Sequence, residues 1–315
     1  MRRRSWVVAG VLTLAATALT GVSASASAGS AGQTWASGCG LIAGDVAETL
    51  GMLPAGSAAG ARGRVREPAR MAEGAEVPAG AGQAPATFAR TIPVYFHVIS
   101  SGPSRAEGNV QQSQIDRQIA VLNRAFAGGY GGVATPFSFV LAGVTRTENR
   151  EWFSMGYNSQ AERRAKTALR AGGADALNIY STNGADDALL GWATFPSHYS
   201  AQPLIDGIVV HYGSLPGGFI EDFDLGQTAT HEAGHWLGLY HTFQNGCSTT
   251  GDQVEDTPRQ RFPTSGCPEG KDTCAQPGLD PIHNYMDYSD DRCYSEFTAG
   301  QSARMTEQFV HFRSG

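Results

Sequence analysis

The sequence predicts an α/β (α+β) fold, a mixed twisted sheet with helices followed by an irregular, cystine-stapled subdomain that ends in a helix. Three observations predict it. Residues 91–98 alternate, with Ile92, Val94, Phe96 and Val98 on one face, which is the period of a half-buried strand. Ile115, Ile119, Leu122 and Phe126 then recur at i, i+4, i+7 and i+11, the stripe of an amphipathic helix that packs on a sheet. Further on, Cys247, Cys267, Cys274 and Cys293 cluster in a stretch rich in glycine and proline, where disulfides supply what a small core cannot.

Taken in order, the first strand and its backing helix lead to strand-like runs at residues 137–144, 177–180 and 208–211, with a second helix at 160–169. Between them LGWATFP, residues 190–196, reads as an edge strand suited to hold an extended peptide by strand addition. A further helix is expected over residues 225–237. Little regular structure follows until Thr298, where TAGQ forms a capping box for a helix with Met305, Phe309 and Phe312 on one face. No internal repeat is present.

The chain has 315 residues, and its first part is not a folded core. Residues 1–28 begin with Arg2, Arg3 and Arg4, continue as an apolar stretch from Trp6 to Leu19 and end in SASASA, the pattern of an export signal. Residues 29–90 are dominated by Ala, Gly and Pro and bury little, and they carry Arg62, Arg64, Arg66, Arg70 and Arg90 as sites for cleavage. They are read as a removable pro-segment. The catalytic part is residues 91–315, in subdomains of about 91–241 and 242–315, and it is long enough to bury a sizeable core.

That part holds 15 Lys and Arg against 24 Asp and Glu, a net charge of −9. A surface of that sign disfavours nucleic acid and anionic membrane as partners. No later segment offers eighteen uninterrupted apolar residues, so the expectation is a secreted, soluble monomer. Export also favours two disulfides among the four clustered cysteines, for which three pairings are open, and the absence of CxxC argues against a cysteine metal site.

Residues 231–241 read HEAGHWLGLYH and satisfy HExxHxxGxxH at all five fixed positions. On a helix, His231 and His235 project from one face, so two imidazoles can meet one Zn²⁺. His241 cannot join them on a continuous helix, where it would lie ~9 Å further along the axis and about 120° round. The helix must end, and Gly238 can adopt the left-handed conformation that ends it. Three histidines leave one position for water, as in catalytic zinc sites, and Glu232 beside the first ligand is placed as general base. His97, His198, His211, His283 and His311 lack ligand spacing and read as packing or surface residues.

HEAGHWLGLYHTF, GDQVEDTP, HNYMDYSDD and FTAGQSARM, in that order, resemble the metzincin zinc peptidases, and within them the pappalysin family, whose bacterial members include ulilysin. The resemblance implies a metzincin-like fold and a secreted zinc-dependent endopeptidase, made as a latent zymogen, that acts on proteins or peptides. It implies His231, His235 and His241 as zinc ligands, Glu232 as general acid/base, Met286 as the Met-turn floor and Tyr288 as the stabiliser of the oxyanion. It implies Cys247 paired with Cys274 and Cys267 with Cys293, which leaves Cys39 as a pro-segment thiolate able to occupy the open zinc position. Calcium is the second implied ion, with Asp252, Asp256 and Thr257 as candidate ligands and Asp280, Asp287, Asp290 and Asp291 as a further acidic group. Basic specificity in such enzymes uses an acidic residue after the Met-turn. Here Arg292 stands there, beside Asp290 and Asp291. The other classes considered are a silent zinc-stabilised binding module, which would not need Glu232, and a zinc amidase on non-protein amides, which would not need the LGWATFP edge.

Overall fold

The computed structural model describes residues 74–78, 87–187 and 189–314. The export signal, Cys39 and most of the pro-segment lie outside the described residues. Five strands form one sheet: β1 (Arg90–Ser100), β2 (Phe137–Glu148), β3 (Leu177–Thr182), β4 (Gly191–Ala193) and β5 (Ile208–His211). Their order is β2-β1-β3-β5-β4, and only β4 runs antiparallel to its neighbour. The LGWATFP segment is therefore at a sheet edge, as its brevity and flanking turns predict.

The helices are α1 (Gln112–Phe126), α2 (Arg150–Phe153), α3 (Gln160–Leu169), α4 (Gly184–Asp187), α5 (Gln227–Trp236) and α6 (Ala299–Phe312). Alternation along β1 sorts them onto the two faces of the sheet. Ile92, Val94, Phe96 and Val98 pack with Ile115, Leu122 and Phe126 of α1 and with Ala229, Ala233 and Trp236 of α5. Ile99 points the other way and joins Phe153 of α2, Ala165 of α3, Tyr180 and Trp192. α5 thus crosses the sheet next to β4 and β5, and this places the motif beside the edge strand.

Two expectations about boundaries change. Arg90 is the first residue of β1, with its amide donating to Pro136 O at 2.8 Å and its guanidinium paired with Asp175 at 3.0 Å, so it is a sheet residue rather than a cleavage site in a loose segment. α5 starts at Gln227 and not near Leu225, because Gly226 enters it at φ +89°. After α5 the chain is irregular as far as α6, and the structure pairs Cys247 with Cys274 and Cys267 with Cys293 there. The predicted capping box at Thr298 and Gln301 opens α6. Among the described residues no helix is long and apolar enough to cross a membrane.

Candidate active site

His231 and His235, four residues apart on α5, present their rings to one point, and the helix then stops. Gly238 takes φ +100°, a region that favours glycine, and its amide donates to His235 O at 2.9 Å. The reversed chain delivers His241. The three rings offer ligand atoms that lie within 4.8 Å of one another, and among the described residues no other group of His, Cys, Asp or Glu does so.

The protonation of the rings follows from their partners. His231 Nδ1 lies 2.5 Å from Tyr285 O, and His235 Nδ1 lies 2.7 Å from Leu239 O. A carbonyl only accepts, so both Nδ1 atoms carry the proton and both Nε2 atoms keep a lone pair. His235 Nε2 is 3.1 Å from His231 Nε2 and 3.0 Å from His241 Nε2. Between lone pairs such separations are repulsive without a cation. They are close to the ~3.3 Å that ligand nitrogens at about 2.0–2.1 Å from a tetrahedral zinc would have. The donor set fits zinc.

A second stretch of chain closes the site from below. Met286 is fully buried, and a Cβ built on Gly234 would lie 2.4 Å from its sulfur, so the thioether rests on α5 between the two histidine positions. This is why glycine stands at the fourth place of HEAGH. Thr242 N donates to Met286 O at 3.2 Å, which ties the turn to the chain just past His241. Asn284 and Gln301 exchange two amide hydrogen bonds, at 2.8 and 3.0 Å, and fasten the turn to the start of α6. The Tyr288 ring stands 5.0 Å from that of His241 and 5.7 Å from that of His231.

Glu232, next to His231 on α5, is buried against the edge strand. A Cβ on Gly191 would fall 2.5 Å from Glu232 Oε1, so the carboxylate lies directly on the Cα of the first β4 residue. The strand that walls the acid is also the terminal strand of the sheet.

The other predicted residues divide. Asp252 and Thr257 are buried together, with Asp252 Oδ2 and Thr257 Oγ1 lacking a hydrogen-bond partner, and burial pushes the Asp252 carboxyl up to about 7. Such orphaned oxygens fit a hard cation. Asp256 does not point its carboxylate there: it accepts from Thr298 Oγ1 at 2.7 Å and Gly300 N at 2.8 Å, at the N-terminus of α6. Asp280 is committed to Thr273 and Lys271, and Asp287 to Gln260, Thr264 and the Tyr288 amide. Asp291 accepts from Leu225 N at 2.9 Å and Gln227 N at 3.3 Å and so holds the N-terminus of α5. Arg292 bridges Asp290 at 2.8 Å and Asp222 at 3.0 Å.

His97 is a packing residue, bonded to Thr145 and Asn178 across the sheet and stacked on Tyr180. Gly191, Gly234 and the cap role of Asp291 were not singled out from the sequence. The HEAGH glycine was the one available signal.

This sheet, helix and triad over a methionine turn define a metzincin-type metallopeptidase. The model of the pregnancy-associated plasma protein-A family of peptidases matches residues 176–310. An extracellular metalloprotease of Pyricularia oryzae is 46% identical over 229 residues, covering 72% of this chain and 77% of that protein. One from Neurospora crassa is 41% identical over 275 residues, with coverage of 86% and 93%. Among solved structures, a mutant of Tannerella forsythia promirolysin superposes with a TM-score of 0.63 at 30% identity, over 73% of this chain and 83% of that one. Mirolysin in complex with a compound gives 0.61 at 31% identity, over 70% and 92%. The chain belongs to the pregnancy-associated plasma protein-A (pappalysin) peptidase family and is a metalloendopeptidase, acting on protein or peptide substrates.

Proposed function

We propose that this protein is a secreted zinc endopeptidase made as a latent precursor, with His231, His235 and His241 as the zinc ligands and Glu232 as general acid/base. The observation that carries the reading is the convergence of three Nε2 atoms, two of them on rings whose Nδ1 is fixed by a carbonyl, beside a buried carboxylate. When bound, zinc lowers the pKa of water toward ~7 and polarises the carbonyl under attack. The chain's own groups do the rest. The outer edge of β4 aligns an extended substrate by backbone pairing. Glu232 takes one proton from the attacking water and passes it to the departing amide nitrogen, so the C–N bond breaks to a carboxyl and an amine. Tyr288, beside two ligand rings, is placed to donate to the oxygen that gains charge. Met286 stays an apolar floor.

Latency is supported by the relatives, since promirolysin is named as a precursor and another neighbour as mature mirolysin with a cleaved peptide. We assign the plug to Cys39. Cys39→Ser should then give a precursor that activates faster, read as the rate at which the pro-form disappears. We also place calcium at Asp252 and Thr257, whose orphaned oxygens support it. In the loop after the Met-turn, Arg292 is paired with Asp290 and Asp222 and Asp291 faces α5, so no unpaired carboxylate of Asp290 or Asp291 is offered to an Arg or Lys just after the scissile bond, and a preference for basic residues there is in doubt. Bond profiling on a peptide library tests this.

Cleavage of casein or gelatin with and without a zinc-selective chelator tests the main reading. Loss of cleavage with the chelator and recovery with added zinc are expected. A chain that binds zinc yet cleaves neither substrate would favour the binding-module alternative, which the intact Glu232 argues against.

A further inference from the structure

Residues 74–78, GAEVP, belong to the stretch that composition assigns to the pro-segment, yet they lie in a groove on the catalytic domain, with Gly74 and Val77 half-buried and Ala75, Glu76 and Pro78 exposed. The groove lies between Phe195, the short turn Pro196–His198, Tyr240 and α6. Tyr240 OH donates to Gly74 O at 2.6 Å, and Ala75 N donates to Ser197 Oγ at 2.8 Å. Glu76 receives both terminal nitrogens of Arg304, each at 2.7 Å, in a forked pair. A Cβ on Gly74 would stand 2.7 Å from the Phe195 ring, so the groove accepts glycine at that place.

Three partners of this segment, Phe195, Tyr240 and Arg304, also touch or belong to the turn between His235 and His241. The Phe195 ring packs 5.4 Å from that of His235 and 5.4 Å from that of Tyr240. Arg304, whose side chain is 10% exposed, donates through Nε to Gly238 O at 2.9 Å and lies 4.8 Å over the Tyr240 ring. Gly238, Leu239 and Tyr240 are the residues that reverse the chain between His235 and His241. Without Glu76, Arg304 would keep a largely buried positive charge lacking its carboxylate, a costly arrangement.

We propose that residues 74–78 are a permanent strap of the mature enzyme, which anchors on Arg304 and braces the turn that presents His241, so that activation cuts the chain upstream of Gly74. The arginines at 62, 64, 66 and 70 all lie on that side. The bracing half of the proposal rests on the zinc reading above, and the boundary half does not.

Intact mass and N-terminal sequencing of the secreted, processed enzyme are the first test. A mature chain that begins at or before Gly74 is expected, and an active enzyme that begins after Pro78 overturns the strap. The second test measures how fast a chelator strips zinc from the processed enzyme. Glu76→Ala and Arg304→Ala should each speed stripping several-fold, with the double variant no faster than Arg304→Ala, because both act through one contact. Glu76 itself is half-exposed, and a denaturation midpoint measured on each variant separates loosening of the turn from a general loss of stability. Unchanged stripping in Glu76→Ala overturns the bracing role. If the wild-type enzyme holds no zinc, it is the zinc reading that fails, while the mapped N-terminus still decides the strap.

Discussion

Three histidines, one glutamate and three glycines carry most of the candidate site, and they are legible to different degrees. The convergence of His231 and His235, the place of Glu232 beside them in sequence and the need for Gly238 to end the helix all follow from spacing within eleven residues, because helix geometry is local. Gly191 and Gly234 were not legible, since the atoms that forbid a side chain there come from Glu232 and from Met286, 41 and 52 positions further on. Gly191→Ala would set a methyl 2.5 Å from Glu232 Oε1 and 2.9 Å from Val209 O. It should lower kcat by at least ~10-fold, about 1.4 kcal/mol of barrier, while metal analysis still finds zinc. A variant with wild-type kcat would show that the carboxylate does not depend on this wall.

At the scale of elements, long periodic segments were read well, and α3 and β5 have the expected bounds. α2 and α4, four residues each, are too short to show a period. The start of α5 is held by a residue that is not local: Asp291, 64 positions after Gln227, accepts from the amides of Leu225, just before the helix, and Gln227, its first residue. Asp291→Ala should therefore destabilise the protein by ~0.5–2 kcal/mol, the range for lost helix caps, seen as a lower denaturation midpoint. The loop from Asp252 to Thr257 was legible only as acidic. Its fold decided that Asp256 holds α6 while Asp252 and Thr257 turn oxygens inward. EGTA should reduce activity, and calcium but not zinc should restore it. Restoration by zinc alone would remove calcium from the account.

Across the whole molecule, one buried ion pair joins parts that the sequence keeps far apart. Arg313 and Asp206 form two contacts at 3.0 Å and are almost fully buried. Asp206 also accepts from Trp236 Nε1 at 3.0 Å and Thr194 Oγ1 at 2.8 Å, while Arg313 lies 3.7 Å over the Trp236 ring. The end of α6, the end of α5 and the exit of β4 thus meet at one carboxylate. Nothing in composition or periodicity marks such a pair. Arg313→Ala should cost about 3–5 kcal/mol, because it strands a buried charge. Burial opposes ionisation of Asp206, but the Arg313 charge and the hydrogen bonds outweigh it and hold the carboxyl below its ordinary 3.8. Its contribution is therefore fully present above about that value and is lost as pH falls through the lowered folded value. Acid unfolding of Asp206→Asn should lack that component in a urea titration run from pH 5 downward.

We propose above that this triad and Glu232 hydrolyse peptide bonds together. The measurement that meets it most directly is casein cleavage by wild type and Glu232→Ala, each shown by metal analysis to carry one zinc per chain. Cleavage by the wild type and almost none by the zinc-loaded variant are expected. Comparable cleavage by both would contradict it.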